Sequence, residues 1–510
     1  MKKKRVKKVC SMGLLATLLF GTAAGAAAPS VQAEEEKPEI KNVIMLIGDG
    51  MGATYTTAHR YMKDNPDTQE MEKTVFDKYL VGMQSTYSAD PYYDGGEDDV
   101  KENVPDSAAT ATAMSSGVKT YNGAIAKDLE EEDTKTVLEA AKGKGMATGL
   151  VSTSEVNHAT PASYGTHDVS RQNYQEIADD YYDDLIDGEH KVDVLLGGGT
   201  DFFEGEDRNL AELFEKDGYN YVKTTDELLS NTNDQLLGLF APVGMDKYID
   251  RPEEQPSLKQ MTTSALDVLQ KDEEGFFLMV EGSQIDWAGH DNDVVAAMSE
   301  MEDFERAFEA AIEFAKQDEH TLVVATADHS TGGLSIGADG EYNWNTDVIK
   351  AAKKTPDYMA NQIVVEGQDI ESTLNDNIDF EIEAEELQSV TEAYEEGQAD
   401  GTEEEDLVLA VDDAIESIFD QRSLTGWTTD GHTGDDVPVY AYGPGSEMFA
   451  GMIDNTDQAK NIFKILGVSQ GEDGGELADT STSYPVGLLI GGLLLGTGAV
   501  FLFRKKKVTA

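Results

Sequence analysis

Asn42-Val43-Ile44-Met45-Leu46-Ile47, followed at once by Gly48-Asp49-Gly50, is the stretch that decides the fold. A short apolar run without alternation reads as a strand buried on both faces, and the glycines end it in a turn. Similar runs stand at 147–151 (ATGLV), 193–196 (DVLL), 276–280 (FFLMV), 321–325 (TLVVA) and 437–441 (VPVYA). Helical patterns lie between them. In the clearest, from Asp293 to Lys316, Val294, Met298, Met301, Phe304, Phe308, Ile312 and Ala315 recur at spacings of three and four, as on a core-facing helix side. Buried strands alternating with helices imply an α/β fold: a three-layer α/β/α sandwich around a central, mostly parallel sheet. The stretch 338–425 breaks the alternation. It holds an acidic run from Glu381 to Glu405 with helical periodicity and reads as an inserted, solvent-exposed acidic cap.

Apolar residues make up 39% of the 510-residue chain, enough for a sizeable core, so a wholly disordered chain is excluded. The 39 basic and 99 acidic residues leave a formal charge of −60. Nucleic acid is therefore excluded as a specific partner, because binding it takes a basic surface. The part expected to fold is more acidic still. Six basic residues lie before position 34 and four after 503, so residues 34–480 hold 29 basic against 99 acidic side chains.

Both ends read as targeting segments. Lys2 to Lys8 form a basic cluster, an apolar stretch follows from Met12 to Ala28, and Val31-Gln32-Ala33 suits cleavage, so 1–33 is expected to be a signal peptide. The only cysteine, Cys10, falls inside it, which leaves the mature chain without a disulfide. A catalytic domain is expected over 34–470 and a Gly/Ser/Thr-rich linker over 471–483. A transmembrane segment is expected over 484–503, because Pro485 to Phe503 carries no charge over 19 residues. Arg504 to Lys507 follow, so 504–510 is expected to be a basic cytoplasmic tail with the catalytic domain outside. Leu477-Ala478-Asp479-Thr480-Ser481 resembles a sortase sorting motif but lacks its proline, so wall and membrane attachment both stand as expectations.

In α/β sheets ligands gather beyond the carboxyl ends of the strands. There the chain places Asp49 after 42–47, Glu281, Asp286 and His290 after 276–280, and Asp328 and His329 after 321–325, with His432 just before 437–441. Carboxylates and imidazoles crowded together repel unless divalent ions hold them. Ser107 opens an Ala/Ser/Thr-rich helix, where a helix N-terminus favours an anion, and Asp106 or Ser107 would cap it. Arg171 offers a planar fork that suits phosphate.

GDGMG at 48–52, PDSAATATAMSSGVKTYNG at 105–123, ATPAS at 159–163, VEGSQIDWAGH at 280–290, TADHSTGG at 326–333 and GHTG at 431–434 together resemble the alkaline phosphatase family. The resemblance implies hydrolysis of phosphate monoesters, with Ser107 becoming phosphoserine and Arg171 clamping the phosphoryl group. It implies Asp286, His290 and His432 as ligands of one zinc ion, and Asp49, Asp328 and His329 as ligands of a second. Asp49, Thr160 and Glu281 would hold a third, magnesium-like ion. His158 and Trp287 stand where one branch of the family has Asp and Lys; both are candidates for that third site's shell, and His158 would either ligate the ion directly or only shape the shell. Resembling enzymes are often dimers, so a homodimer is also expected. Two alternatives are a phosphodiesterase or sulfatase of the same superfamily and an inactive relative that binds metal or phosphate at the surface. Arg171 and the Ser107 motif favour the monoesterase.

The acidity has a measurable consequence. A net charge near −70 on residues 34–480 repels itself until salt screens it, with a Debye length of roughly 10 Å at 0.1 M and 3 Å at 1 M. This reads as adaptation to a salty medium. The melting temperature of the ectodomain should climb from low to molar NaCl; a flat or falling curve would refute the reading.

Overall fold

A computed structural model describes residues 39–468 apart from 94–95 and 97–99. The expected signal peptide, linker, sortase-like motif, transmembrane segment and basic tail lie outside the described residues. Among the described residues, no helix is long and apolar enough to cross a membrane.

Ten strands form one sheet: β1 (Asn42–Gly48), β2 (Leu80–Ser85), β3 (Ala147–Glu155), β4 (Val194–Gly198), β5 (Asn220–Val222), β6 (Leu236–Leu239), β7 (Phe276–Gly282), β8 (Thr321–Thr326), β9 (Val437–Tyr442) and β10 (Gly451–Asp454). Their order is β10-β2-β9-β8-β1-β7-β3-β4-β6-β5. β9 runs against both neighbours, and every other pairing is parallel. The six strands expected from apolar runs are all present. β2, β5, β6 and β10 were not expected. β5 and β10 are short edge strands, β2 is only partly buried and broken by Gly82, and β6 is four residues long with a glycine inside. None has the length or apolar continuity that marks a central strand.

β1 is buried along its whole length because helices cover both faces of the sheet. Ile44 and Leu46 face one apolar layer, with Leu278 and Val280 of β7 and the stripe Met298, Met301, Phe304, Phe308 and Ile312 of the helix Val294–Asp318. Val43, Met45 and Ile47 face the other, with Phe277, Met279 and residues of the helices Ser107–Ser116, Val137–Lys142 and Thr456–Leu466. The alternating sides of one strand thus divide the core into two layers.

Register then aligns the strand ends. Ile47 lies opposite Glu281 of β7 and opposite Thr326 of β8. Asp49, Glu281 and Asp328 therefore emerge side by side at one edge of the sheet.

Residues 338–425 fold into five helices, the longest being Ala384–Asp400 and Glu404–Ser423. The segment leaves after Ser335–Ile336 and returns at Thr425–Gly426, and these two short strands pair. Most of 381–399 is exposed or half-buried. Glu404–Ser423, by contrast, buries Val411, Ile415 and Phe419 in the first apolar layer.

Phe304 links core to sheet edge. It is fully buried and stacks on Phe76 with ring centroids 6.1 Å apart. A Cβ on Gly282, at the end of β7, would lie 2.8 Å from its ring. Phe304→Ala should lower the urea midpoint by an amount equivalent to ~3–5 kcal/mol, as large-to-small core changes do; an unchanged midpoint would contradict this packing role.

Candidate active site

The turn after β1 is the tightest part of the site. Gly50 has φ +68, and a Cβ there would meet Asp286 Cα and Thr331 Oγ1, both at 2.8 Å, so only glycine lets the segments close in. The Gly50 N–H donates to Asp328 Oδ1 at 3.0 Å, tying the β1 turn to the β8 turn.

Three groups of donors converge there. In each, the ligand atoms lie within 4.8 Å of one another: Asp286 with His290 and His432, Asp49 with Asp328 and His329, and Asp49 with Glu281 and His158. In the first group, His290 Nδ1 faces the Asp430 carbonyl and His432 Nδ1 faces the Pro105 carbonyl at 2.7 Å. Each Nδ1–H donates to its carbonyl, which directs each Nε2 inward. The two Nε2 atoms are 3.0 Å apart, with Asp286 oxygens 3.4 Å from His290 and 3.6 Å from His432. Such converging lone pairs require a cation between them, a proton or a metal ion.

In the second group, His329 Nε2 is 3.1 Å from Asp328 Oδ2 and 3.5 Å from Asp49 Oδ1. His329 Nδ1 lies 3.3 Å from Thr331 Oγ1, and that hydroxyl donates to Asp286. Since Asp286 only accepts, the Thr331 hydroxyl accepts from Nδ1–H, leaving His329 Nε2 as a lone pair. Thr331 thus couples the first two groups. Tyr55 in turn donates to the Thr331 carbonyl at 2.8 Å.

The third group is almost entirely oxygen. Both Asp49 oxygens, Glu281 Oε1 and Asp328 Oδ2 are sealed from solvent without a hydrogen-bond partner. Thr160 is buried at the start of the helix Ala159–Gly165, and its hydroxyl lies close enough to Glu281 to lower its pKa. His158 precedes that helix, with Nδ1 buried and unpartnered. Trp287 meets the His158 ring edge-on at 5.9 Å.

Electrostatics give the same picture. Burial, then the charge of Asp328, pushes Asp49 well above the usual carboxylate range. Burial raises Glu281 to about 8 and Asp328 to about 6. Burial and then Arg171 push His158 down to about 3. Burial and then His432 push His329 well below the usual imidazole range. Burial acts to raise Asp286 as well, but the hydrogen bond from His290 and the nearby imidazoles hold it below the carboxylate range. So many buried carboxylates are not all ionised without added positive charge. The orphaned oxygens and the depressed His158 and His329 imidazoles fit divalent ions; His290, raised to about 9 by its hydrogen bond to Asp286, carries a proton in the first group. Groups with histidine and carboxylate suit zinc, and the oxygen-rich set of Asp49, Thr160 and Glu281 suits magnesium.

Ser107 stands against the second group, 1% exposed, with Oγ 3.3 Å from His329 Nε2. It is the first residue of its helix. Asp106 is the cap, accepting from the Ala109 N–H at 2.9 Å. The run of Ala, Ser and Thr lets this helix pack closely on Ala159–Gly165. Ser115 Oγ donates to the Ser163 carbonyl at 2.6 Å, and Thr112 Oγ1 lies 3.4 Å from Ser163 Oγ. Arg171 is held from two sides, Nη1 at 3.2 Å from Asp106 Oδ2 and Nη2 at 2.9 Å from His158 Nε2.

The site residues expected from sequence thus occupy one region. Sequence reasoning missed Thr331 and Tyr55, and it saw Asp106 only as a cap. Thr331 was within reach, because it sits inside TADHSTGG beside two expected ligands. Tyr55 carries no local signal; its partner lies 276 residues away.

Comparison with known proteins agrees with this geometry. The family model for alkaline phosphatase matches residues 40–468. The chain is 58% identical to alkaline phosphatase 3 of Bacillus subtilis over 91% of its own length and 98% of that protein. It is 51% identical to alkaline phosphatase 4 of the same organism, over 90% and 96%. Among solved structures it resembles a cold-active alkaline phosphatase from Shewanella sp., with 43% identity and a TM-score of 0.74, covering 83% of this chain and 99% of that one. With its converging donor groups and a serine at a helix start beside them, the chain belongs to the alkaline phosphatase family of phosphomonoesterases.

Proposed function

We propose that the enzyme hydrolyses phosphate monoesters to an alcohol and inorganic phosphate through a phosphoserine at Ser107. The observation that carries this reading is Ser107 Oγ at 3.3 Å from His329 Nε2, at the start of a buried helix. In this reading Asp286, His290 and His432 hold one zinc ion, and Asp49, Asp328 and His329 hold a second. Asp49, Thr160 and Glu281 hold a magnesium-like ion, with His158 and Trp287 around it. When bound, the metal ions supply Lewis acidity, lowering the pKa of serine and water oxygens and offsetting phosphoryl charge.

The protein's own part is positioning. Ser107 gives up its hydroxyl proton and Oγ attacks phosphorus in line; the new O–P bond forms as the ester O–P bond breaks, and the alkoxide leaves and takes up a proton. Water then loses a proton as its oxygen bonds phosphorus from the vacated side, the Oγ–P bond breaks, and Ser107 Oγ takes a proton back. The helix start directs N–H groups at the phosphoryl oxygens. Asp106 and His158 fix the Arg171 guanidinium so that its fork meets two of those oxygens without reordering. The substrate is gripped mainly by its phosphoryl group, so selectivity for the leaving alcohol is broad.

Two variants test this assignment. Ser107→Ala should abolish acid-trapped labelling by radioactive phosphate, and His432→Ala should lose about one zinc per chain with most activity, because opening a ligand set releases its ion. Label on another residue would refute the nucleophile, and unchanged metal content would refute the ligand set.

We also assign residues 34–470 to one catalytic domain with 338–425 as its inserted cap, exported by 1–33 and held at the cell surface by 484–503. The uncharged run and the basic tail support the anchor. Peptide 508–510 in membranes would indicate retention, and wall-released enzyme ending at Thr480 would indicate sortase. Full-length enzyme free in the medium would rule out both. A homodimer is the assembly proposed, to be read from sedimentation equilibrium.

A further inference from the structure

The first donor group hangs on one short segment, residues 427–433. His432 belongs to it, and His290 Nδ1–H donates to the Asp430 carbonyl within it. Two of the group's three side chains therefore take their places from where this segment lies. It is laced to the turn after β8. The N–H groups of Thr428 and Thr429 donate to the Gly332 carbonyl at 2.9 and 3.2 Å, and the Gly332 N–H donates to the Gly431 carbonyl at 2.9 Å. Thr331 and His432 stand opposite each other in a short antiparallel ladder.

Upstream, the segment is the direct continuation of the inserted cap. The helix Glu404–Ser423 stops at Leu424, which has φ +63, and Thr425–Gly426 then pairs with Ser335–Ile336. The Gly337 N–H donates to the Leu424 carbonyl at 3.0 Å and the Asn345 N–H to the Ser423 carbonyl at 2.9 Å, so the exit from the cap is fixed.

Trp427 comes next and reaches two ways. Its indole N–H turns back to the cap helix and donates to Asp420 Oδ1 at 3.2 Å. Its ring meets the turn that carries the ligands. A Cβ on Gly332, which has φ +73, would lie 2.7 Å from Trp427 Cε3 and 2.6 Å from the Gly289 carbonyl, so the indole and the residue before His290 close on the same glycine. Tyr55, whose hydroxyl holds the Thr331 carbonyl, has its ring centroid 6.5 Å from that of Trp427. A half-buried indole is large and rigid, and its N–H needs a partner; Asp420 supplies one and thereby sets the direction of the ring.

We propose that Trp427 is a positioning residue for the first donor group: braced by Asp420 of the cap helix, it sets the lie of 427–433 and so the spacing of His432, His290 and Asp286. This assignment rests on reading those three side chains as ligands of one zinc ion. It gives the inserted cap a part in the chemistry, as the support behind a metal site. Ligands hold an ion tightly only when the groups behind them fix their geometry.

The test counts zinc released from the zinc- and magnesium-loaded enzyme to a chromogenic chelator of increasing concentration. His432→Ala identifies, by its absence, the release step that belongs to the first group. In Trp427→Phe, which keeps a ring and loses the N–H, that step should come at about tenfold lower chelator concentration, as when a metal ligand loses its outer partner, with the other step unmoved. Asp420→Leu should do the same. Asp420→Asn, whose amide oxygen still accepts, should restore wild-type release. A residue that only fills space would not distinguish Asn from Leu at position 420, and its loss would weaken both steps together. An unmoved first step in Trp427→Phe and Asp420→Leu, equal weakening of both steps, or release from Asp420→Asn as easy as from Asp420→Leu would each overturn the proposal and leave the ligand reading standing. Zinc release from His432→Ala identical to wild type would remove the ligand reading, and the proposal with it. Should one of the variants at 427 and 420 fail to fold, the other decides by the same criteria.

Discussion

Everything at the sheet edge depends on carboxylates taken out of water beside one another. Asp49, Glu281 and Asp328 are fully buried, and the strand register that makes a continuous apolar sheet also brings them together. Hydrophobic burial supplies the driving force, and like charge in a low dielectric is its cost. The imidazoles, the orphaned oxygens and the fixed Arg171 follow from that cost. The structure tolerates it because each donor faces a point where positive charge can sit.

The same logic links stability to chemistry. A site that gathers negative groups gains stability from any divalent ion that binds it, so metal loading should favour the folded state. Thr331 shows how tightly the parts are joined. Its one hydroxyl accepts from His329 and donates to Asp286, so two donor groups share a single orienting residue. Gly50 permits this closeness, since any side chain there would strike both Asp286 and Thr331.

The inserted segment repeats the motif away from the sheet edge. Its outer surface is acidic and solvated, as a charge run usually is. Its inner helix is not a simple apolar face, however. Val411, Ile415 and Phe419 share it with Asp412 and Glu416, so one helix contributes both core and buried charge. Periodicity shows which residues lie on one side of a helix, but it does not show that two acids there will be buried with unmet oxygens.

By itself the sequence determined the class of fold, the six central strands, the stripe on Val294–Asp318 and the residues that gather at the site. Local rules reach most of this: apolar continuity marks strands buried on both faces, period 3.6 marks helices, and chemistry collects at strand ends, whereas Thr160, His158 and Trp287 entered only through the motifs' resemblance to the family. The short strands β2, β5, β6 and β10 stayed hidden because pairing, not composition, makes them strands. Thr331, Tyr55, the cradle around Arg171 and the buried row of Asp412 and Glu416 were decided by tertiary structure alone. The contacts of Thr331, Tyr55 and Arg171 join segments far apart in the chain, up to 276 residues in the case of Tyr55. No local pattern encodes which distant groups will share one desolvated volume; packing around the sheet decides that.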